Sequence, residues 1–147
     1  MERPTIGPSA PSRMDGVGAF LPVLMALLLG ACSNPDAARA SADRFVDRYY
    51  VEIDLPKARE ETTGFARAKI EREMHLLEGI EGPESDAKPS VYYRFLSDQA
   101  GASDDNRGFL YELTINLSGG TKITRRAMVT VREEGGVWRA ANFVELD

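Results

Sequence analysis

Phe109-Leu-Tyr-Glu-Leu-Thr-Ile-Asn-Leu117, followed by Ser118-Gly119-Gly120, is the stretch that decides the fold. Phe109, Tyr111, Leu113, Ile115 and Leu117 alternate with Leu110, Glu112, Thr114 and Asn116. That period of two is the pattern of a strand with one face buried. The glycine pair turns the chain into a second strand marked by Ile123, Ala127, Val129 and Val131. The register can be chosen by testing each turn. A two-residue Gly119-Gly120 loop sets Leu113 against Arg126 and Ile115 against Thr124, apolar against polar throughout. A three-residue loop, Ser118-Gly119-Gly120, pairs Ile115 with Ile123 and Tyr111 with Ala127. A slip of one residue moves a whole strand face, so the three-residue loop is expected, with Gly120 in the left-handed region.

The pattern extends in both directions. Downstream, Trp138, Ala140, Val144 and Leu146 mark a further strand, reached through a turn at Glu133 to Gly136. Pairing apolar with apolar places Val131 opposite Trp138 and Val129 opposite Ala140. Upstream, Val91, Tyr93 and Phe95 alternate with Tyr92, Arg94 and Leu96. The second half of the chain therefore reads as an antiparallel meander of about four strands.

The first half changes period. Ala38, Ala42, Phe45, Val46 and Tyr49 share one face of a helix that should end near residues 50–52. Asn34 is placed to cap its start, with Pro35 in the first turn. Asp54 can cap a short second helix that takes in Pro56 and runs to Thr62. Thr63 can cap a third, running to about Glu78, with Phe65, Ala66, Ile70, Met74 and Leu77 as its apolar stripe. Helices first and a meander after them specify an α+β domain, with the helices packed on one face of a curved sheet.

Composition narrows the function. The 147 residues are 43% hydrophobic and 28% charged, with a net charge of −5 that argues against nucleic acid as a partner. One cysteine and one histidine leave no disulfide framework, thiolate cluster or multi-histidine metal site, and no cofactor is expected. That histidine, His75, lies beside Glu71 and Glu78 and off the apolar stripe, the position of a solvated surface residue. No nucleophile–base pair stands out, so no catalytic residue is assigned.

The N-terminus is an address. Gly16 to Cys32 contains no charged residue, and its apolar run is shorter than the about 20 residues a membrane span needs. The run ends at Leu29-Gly30-Ala31-Cys32, which resembles the lipobox of bacterial lipoproteins. That resemblance implies a signal peptide over 1–31, acylation of Cys32, a short tether over 32–36 and a single domain over 37–147. Two or more acyl chains anchor a protein stably to a membrane without spanning it. With Ser33 after the cysteine, the resemblance implies the periplasmic face of the outer membrane in a host that has two.

Helices followed by a meander, with Gly135-Gly136-Val137-Trp138 before the last strand, resemble the NTF2-like (cystatin-like) domains carried by bacterial lipoproteins. The resemblance implies a sheet wrapped around helices as a cone, with a pocket at its open end in many members. Tyr49, Tyr93, Tyr111 and Trp138 are the candidate ligand-pocket residues, since each joins an apolar ring to a polar handle. The expected function is binding of a ligand or another envelope protein. The alternatives are a pocket enzyme of isomerase or dehydratase type using Tyr and Asp/Glu side chains, and a structural assembly partner.

Overall fold

The structure, a computed structural model, describes residues 35–80, 88–101 and 103–146. The signal-peptide run, the lipobox with Cys32 and the Asn34 cap fall outside the described residues. No helix among the described residues is long and apolar enough to cross a membrane.

Three helices precede the sheet. They are α1 (Pro35–Val46), α2 (Leu55–Glu60) and α3 (Gly64–Leu76). Between α1 and α2 the chain continues through a π-helical turn, Asp47–Val51. Four strands follow: β1 (Ser90–Ala100), β2 (Asn106–Asn116), β3 (Lys122–Glu134) and β4 (Val137–Leu146). They form one antiparallel sheet in sequence order. The architecture is the expected α+β arrangement, helices on a curved antiparallel meander.

The β2–β3 register is the one the apolar alternation requires. Ile115 faces Ile123 and Tyr111 faces Ala127. The Leu117 amide donates to the Thr121 carbonyl at 2.8 Å, leaving Ser118-Gly119-Gly120 as the loop. Gly120 has φ +84° and Gly119 shares the left-handed sign at +102°.

The β3–β4 register differs from expectation. Val131 faces Ala140, and Trp138 faces Glu133. The turn is the pair Gly135-Gly136, with φ of +61° and +81°, and two consecutive left-handed residues close a two-residue hairpin. Farther along, Thr130 pairs with Asn142 while Val131 pairs with Ala140, so Ala141 is an extra residue, a β-bulge. A bulge reverses which residues face the core. Phe143 is therefore buried, whereas Val144 and Leu146, expected inside, are exposed. A second bulge at Leu96 lies between the Phe95 and Ser97 pairings of β1.

The core lies where α1 meets the sheet. Ala38, Ala42, Phe45 and Val46 pack with Tyr111, Leu113, Val129, Val131 and Phe143, joined by Ala58 of α2 and by Ala66 and Ile70 of α3. Each large apolar side chain so buried contributes roughly 1.5–3 kcal/mol. Two polar ties fix the helix along this contact. Buried Ser41 donates to the Trp138 carbonyl at 2.8 Å, and the Tyr111 hydroxyl donates to Asp43 at 2.7 Å. The α2–α3 connection is stitched to β4, with the Thr63 amide on the Ala140 carbonyl at 2.8 Å and the Ala140 amide on the Glu61 carbonyl at 2.9 Å.

Two helix expectations need correction. Phe65 is 82% exposed and is no part of the α3 stripe, of which only Ala66 and Ile70 are buried. Thr63 precedes α3, but its hydroxyl donates to Glu134 at 3.0 Å instead of capping the helix. Tertiary contact to the sheet takes the hydroxyl that the local sequence offers to the helix. Asp54 behaves as expected and accepts from the Lys57 amide at 3.0 Å.

Ile53 is the one described residue other than glycine with positive φ, at 54°. A β-branched residue in this region carries about 1–2 kcal/mol of strain. Replacing it by glycine relieves that strain and costs less than 1 kcal/mol in chain entropy. The half-buried side chain's lost contacts cost about a further 1 kcal/mol, so Ile53→Gly should leave stability within about 0.5 kcal/mol of the unaltered protein, read as a nearly unchanged urea midpoint with an unchanged slope.

Candidate functional site

The distal end of α1 is built differently from its beginning. In the π-helical turn the Glu52 amide donates to the Asp47 carbonyl at 2.8 Å, one residue wider than an α-turn. The chain then reverses at Ile53, and the Asp54 amide returns to the Arg48 carbonyl at 2.9 Å. This widened end brings two adjacent tyrosines into one aromatic cluster. The Tyr49 ring stacks on Phe45 at 5.5 Å and meets Tyr50 edge-on at 4.7 Å. Phe143, turned inward by the β4 bulge, lies 4.7 Å from Tyr49.

Beside this cluster lies an open cleft of about 460 Å³, lined by Tyr49, Tyr50, Ile53, Leu55, Glu73, Leu76, Leu77 and Glu145. Its apolar wall is unusually wet: Leu76 is 68% exposed, Leu77 53% and Ile53 43%. A second cleft, of about 430 Å³, shares Ile53, Leu55 and Leu77 and adds Glu52, Asp54, Pro56, Met74 and Lys88. The three shared residues form a common wall, so the two recesses adjoin.

The polar groups of the first cleft are few. The Tyr49 hydroxyl donates to Glu73 Oε2 at 2.8 Å. The Tyr50 hydroxyl is shielded from solvent and makes no hydrogen bond. Burial, reinforced by nearby Glu73 and Glu145, raises the pKa of both phenols well above the ordinary tyrosine value. Neither phenol gives up its proton at neutral pH.

A second polar group sits on the other flank of α1. Asp43 accepts from Arg39 Nε at 2.9 Å and from the Tyr111 hydroxyl at 2.7 Å. The Arg39 guanidinium lies 3.5 Å above the Phe95 ring. Burial, with the bond to Asp43, also holds the Tyr111 proton far above its usual range. This set has its partners in place and ties helix to sheet.

The four candidate pocket residues are thus divided. Tyr49 lines the first cleft. Tyr111 is buried with its hydroxyl committed to Asp43, and half-buried Tyr93 packs edge-on against it at 5.8 Å. Trp138 is buried in the core under α1. Tyr50, Ile53, Leu55, Glu73, Leu76, Leu77 and Glu145, which line the cleft with Tyr49, carry no mark in the sequence that singles them out. The Tyr49-Tyr50 pair is visible, but nothing in the sequence shows that both rings, which lie in the π-helical turn, border one site.

His75 is on the surface, 3.2 Å from Glu78. Glu52 pairs with Arg48 and with Lys57, the latter at 3.5 Å. The Lys57 amide and ammonium hold the Asp54 carboxyl below its ordinary range. Among the described residues no group of three or more His, Cys, Asp or Glu side chains is placed to hold a metal.

No family model and no curated protein matches the sequence. Solved structures do. A chain named Rd1NTF2_05, carrying five substitutions, superposes with a TM-score of 0.52 at 14% identity, over 76% of this chain and 97% of its own. The fold is NTF2-like. Also similar are Aln2 from a Streptomyces species (TM-score 0.49, 12% identity, 79% of this chain and 94% of that one) and Rd1NTF2_04 with long sheet (0.48, 13%, 74% and 99%). At these identities the likeness concerns the fold of the NTF2-like domain alone.

The buried phenols of this NTF2-like domain make a pH prediction. Tyr49, Tyr50 and Tyr111 keep protons in the folded state that the unfolded chain releases near about pH 10. Their contribution to stability is whole below that pH and is lost as pH rises above it. In an alkaline titration, tyrosinate absorbance from these three should appear together with loss of the helical circular-dichroism signal. Ionisation of all tyrosines with the helices intact would contradict the placement of their hydroxyls.

Proposed function

We propose that this chain is an envelope lipoprotein, anchored through an acylated Cys32, whose NTF2-like domain binds a small, largely apolar ligand in the cleft at the end of α1. The anchor rests on the Leu29-Gly30-Ala31-Cys32 sequence after an uncharged apolar run. In a host with two membranes the expected address is the periplasmic face of the outer one.

The binding reading rests on one observation. Leu76 and Leu77 face an open cleft while largely exposed to water, and partly exposed Ile53 joins them from a strained backbone. Apolar side chains held out of the core around a recess, with a few polar groups at its edge, are what a ligand site requires. Strain retained at such a place fits a functional rather than a packing role.

The arrangement of chain and cleft suits a tethered binder. Pro35, where α1 starts, is three residues after Cys32 in sequence. Tyr49 and Tyr50 lie at the other end of the helix, roughly 20 Å away at 1.5 Å per residue. The cleft lies at the end of α1 opposite Pro35.

An isomerase or dehydratase would place the acid–base work on Glu73 and Tyr49. With the Tyr49 proton held well above its ordinary range, that phenol is a poor acid near neutrality, since proton donors work best with a pKa close to the operating pH. The binding reading is therefore preferred.

Native mass spectrometry of the full chain, taken from the producing cell's envelope in mild detergent, tests both halves. The expected spectrum shows a chain beginning at Cys32 with covalent acyl increments, plus a reproducible non-covalent small-molecule mass. An unacylated chain retaining residues 1–31 would overturn the anchor. An acylated chain without any bound mass would count against the ligand.

A further inference from the structure

We infer that the outer face of α3 is a membrane-contacting surface: the helix lies along the lipid surface with Phe65 in the apolar layer. This inference rests on the acylated-Cys32 reading and goes beyond it by naming the part of the domain that meets the lipid. Phe65 and Leu76 are the two most exposed large apolar side chains among the described residues, at 82% and 68%. They are eleven residues apart on α3, about three turns, and so lie on one line of the helix. Ala68 and Arg72, both exposed, fill that line between them. Exposed Ile80 continues the apolar surface just past the helix end. On its other side α3 buries only Ala66 and Ile70 in the domain. A helix turned only to water carries polar groups where α3 presents Phe65, Ala68 and Leu76.

The length of the tether says what covers this face. Cys32 and Pro35 are three residues apart, a span of at most about 10 Å, so an acylated Cys32 holds the start of α1 at the lipid. α3 runs beside α1 in the same direction. The Ser41 hydroxyl and the Thr63 amide are held by β4, on the Trp138 and Ala140 carbonyls, and farther along Tyr49 meets Glu73 at 2.8 Å. A helix placed in this way can lie along the surface that holds the start of α1. The charges agree with a lipid surface. Arg72 stands between Phe65 and Leu76, where its stem can lie among apolar groups while the guanidinium reaches lipid phosphates. Glu71, beside the line, is matched by Arg59 at 2.7 Å, and Glu73 is turned to Tyr49. Leu76 also lines the cleft, so α3 seated on lipid sets the rim of the cleft at the membrane.

The test adds one tryptophan at a time, as Phe65→Trp, Ala68→Trp or Tyr92→Trp, to the full acylated chain in phosphatidylcholine nanodiscs, with and without lipid brominated in its acyl chains. Exposed Tyr92 on β1 is the reference position, and the signal of buried Trp138 is subtracted with the unaltered protein. Phe65→Trp and Ala68→Trp are expected to emit at shorter wavelength and to be quenched by brominated lipid several-fold more than Tyr92→Trp. Phe65→Glu, at an exposed position outside the core, should lower the quenching of Ala68→Trp by about half while the acyl chains keep the protein in the nanodisc. Quenching at positions 65 and 68 no greater than at 92, in a chain whose acyl increments are confirmed by mass, overturns the seating of α3 and leaves the anchor standing. A shift to shorter wavelength without quenching means that protein covers the face, and overturns it too. A chain without acyl groups overturns the anchor and this inference together.

Discussion

The seating of α1 on the sheet through Ala38, Ala42, Phe45 and Val46 governs the placement of every other part of the domain. Two alanines let the helix approach the strands closely, and Phe45 packs against both Tyr49 and Phe143. The contact is fixed in register by Ser41 on the Trp138 carbonyl and by Tyr111 on Asp43. A helix held at these two levels cannot slide without leaving buried polar groups unpaired, which costs about 1–3 kcal/mol for each. The sheet supplies its half of the fit through the Ala141 bulge. Without that extra residue Phe143 would face away from α1, and the aromatic cluster at the end of the helix would lose its floor.

What lies beyond Val46 follows from that seating. The helix widens into a π-helical turn, and the chain reverses through Ile53 in a conformation that suits glycine better. Both features oppose local preference, and both adjoin the same recess. The opposite flank shows the contrast. Around Asp43 every group is matched and the phenol is committed to holding the helix. Around Tyr50 the hydroxyl is unmatched and leucines stand in water. One flank is built for stability, and the other departs from it in the manner of a binding site.

Much of the fold was legible in the sequence because its rules are local. The α1 face could be read from 3.6-residue spacing. The β2–β3 register followed from alternation plus one turn, since a single slip would have set Leu113 against Arg126. The β3–β4 register was not legible. Apolar pairing allows a two- or a four-residue loop but sets it one residue too early, whereas the turn closes on Gly135-Gly136, and the Ala141 bulge reverses parity halfway along β4 with no composition signal beyond two adjacent alanines. Phe65 and Leu77 fit a helical stripe by spacing, but α3 buries only a narrow line, and no sequence rule shows how far a neighbouring sheet extends over a helix. The cleft was the least legible part. Tyr49 was identifiable as an amphipathic ring, whereas Leu76, Glu73 and Glu145 meet it only through tertiary packing of α3 and β4.

A photo-crosslinking amino acid placed at Leu76 in the cleft, compared with one at exposed Tyr92 on β1, tests the central claim most directly when illuminated in the intact envelope. The account predicts a small-molecule adduct at position 76, visible as a discrete mass increment on the chain, and none at position 92. Crosslinks from position 76 to another polypeptide, or the same adducts at both positions, would contradict it.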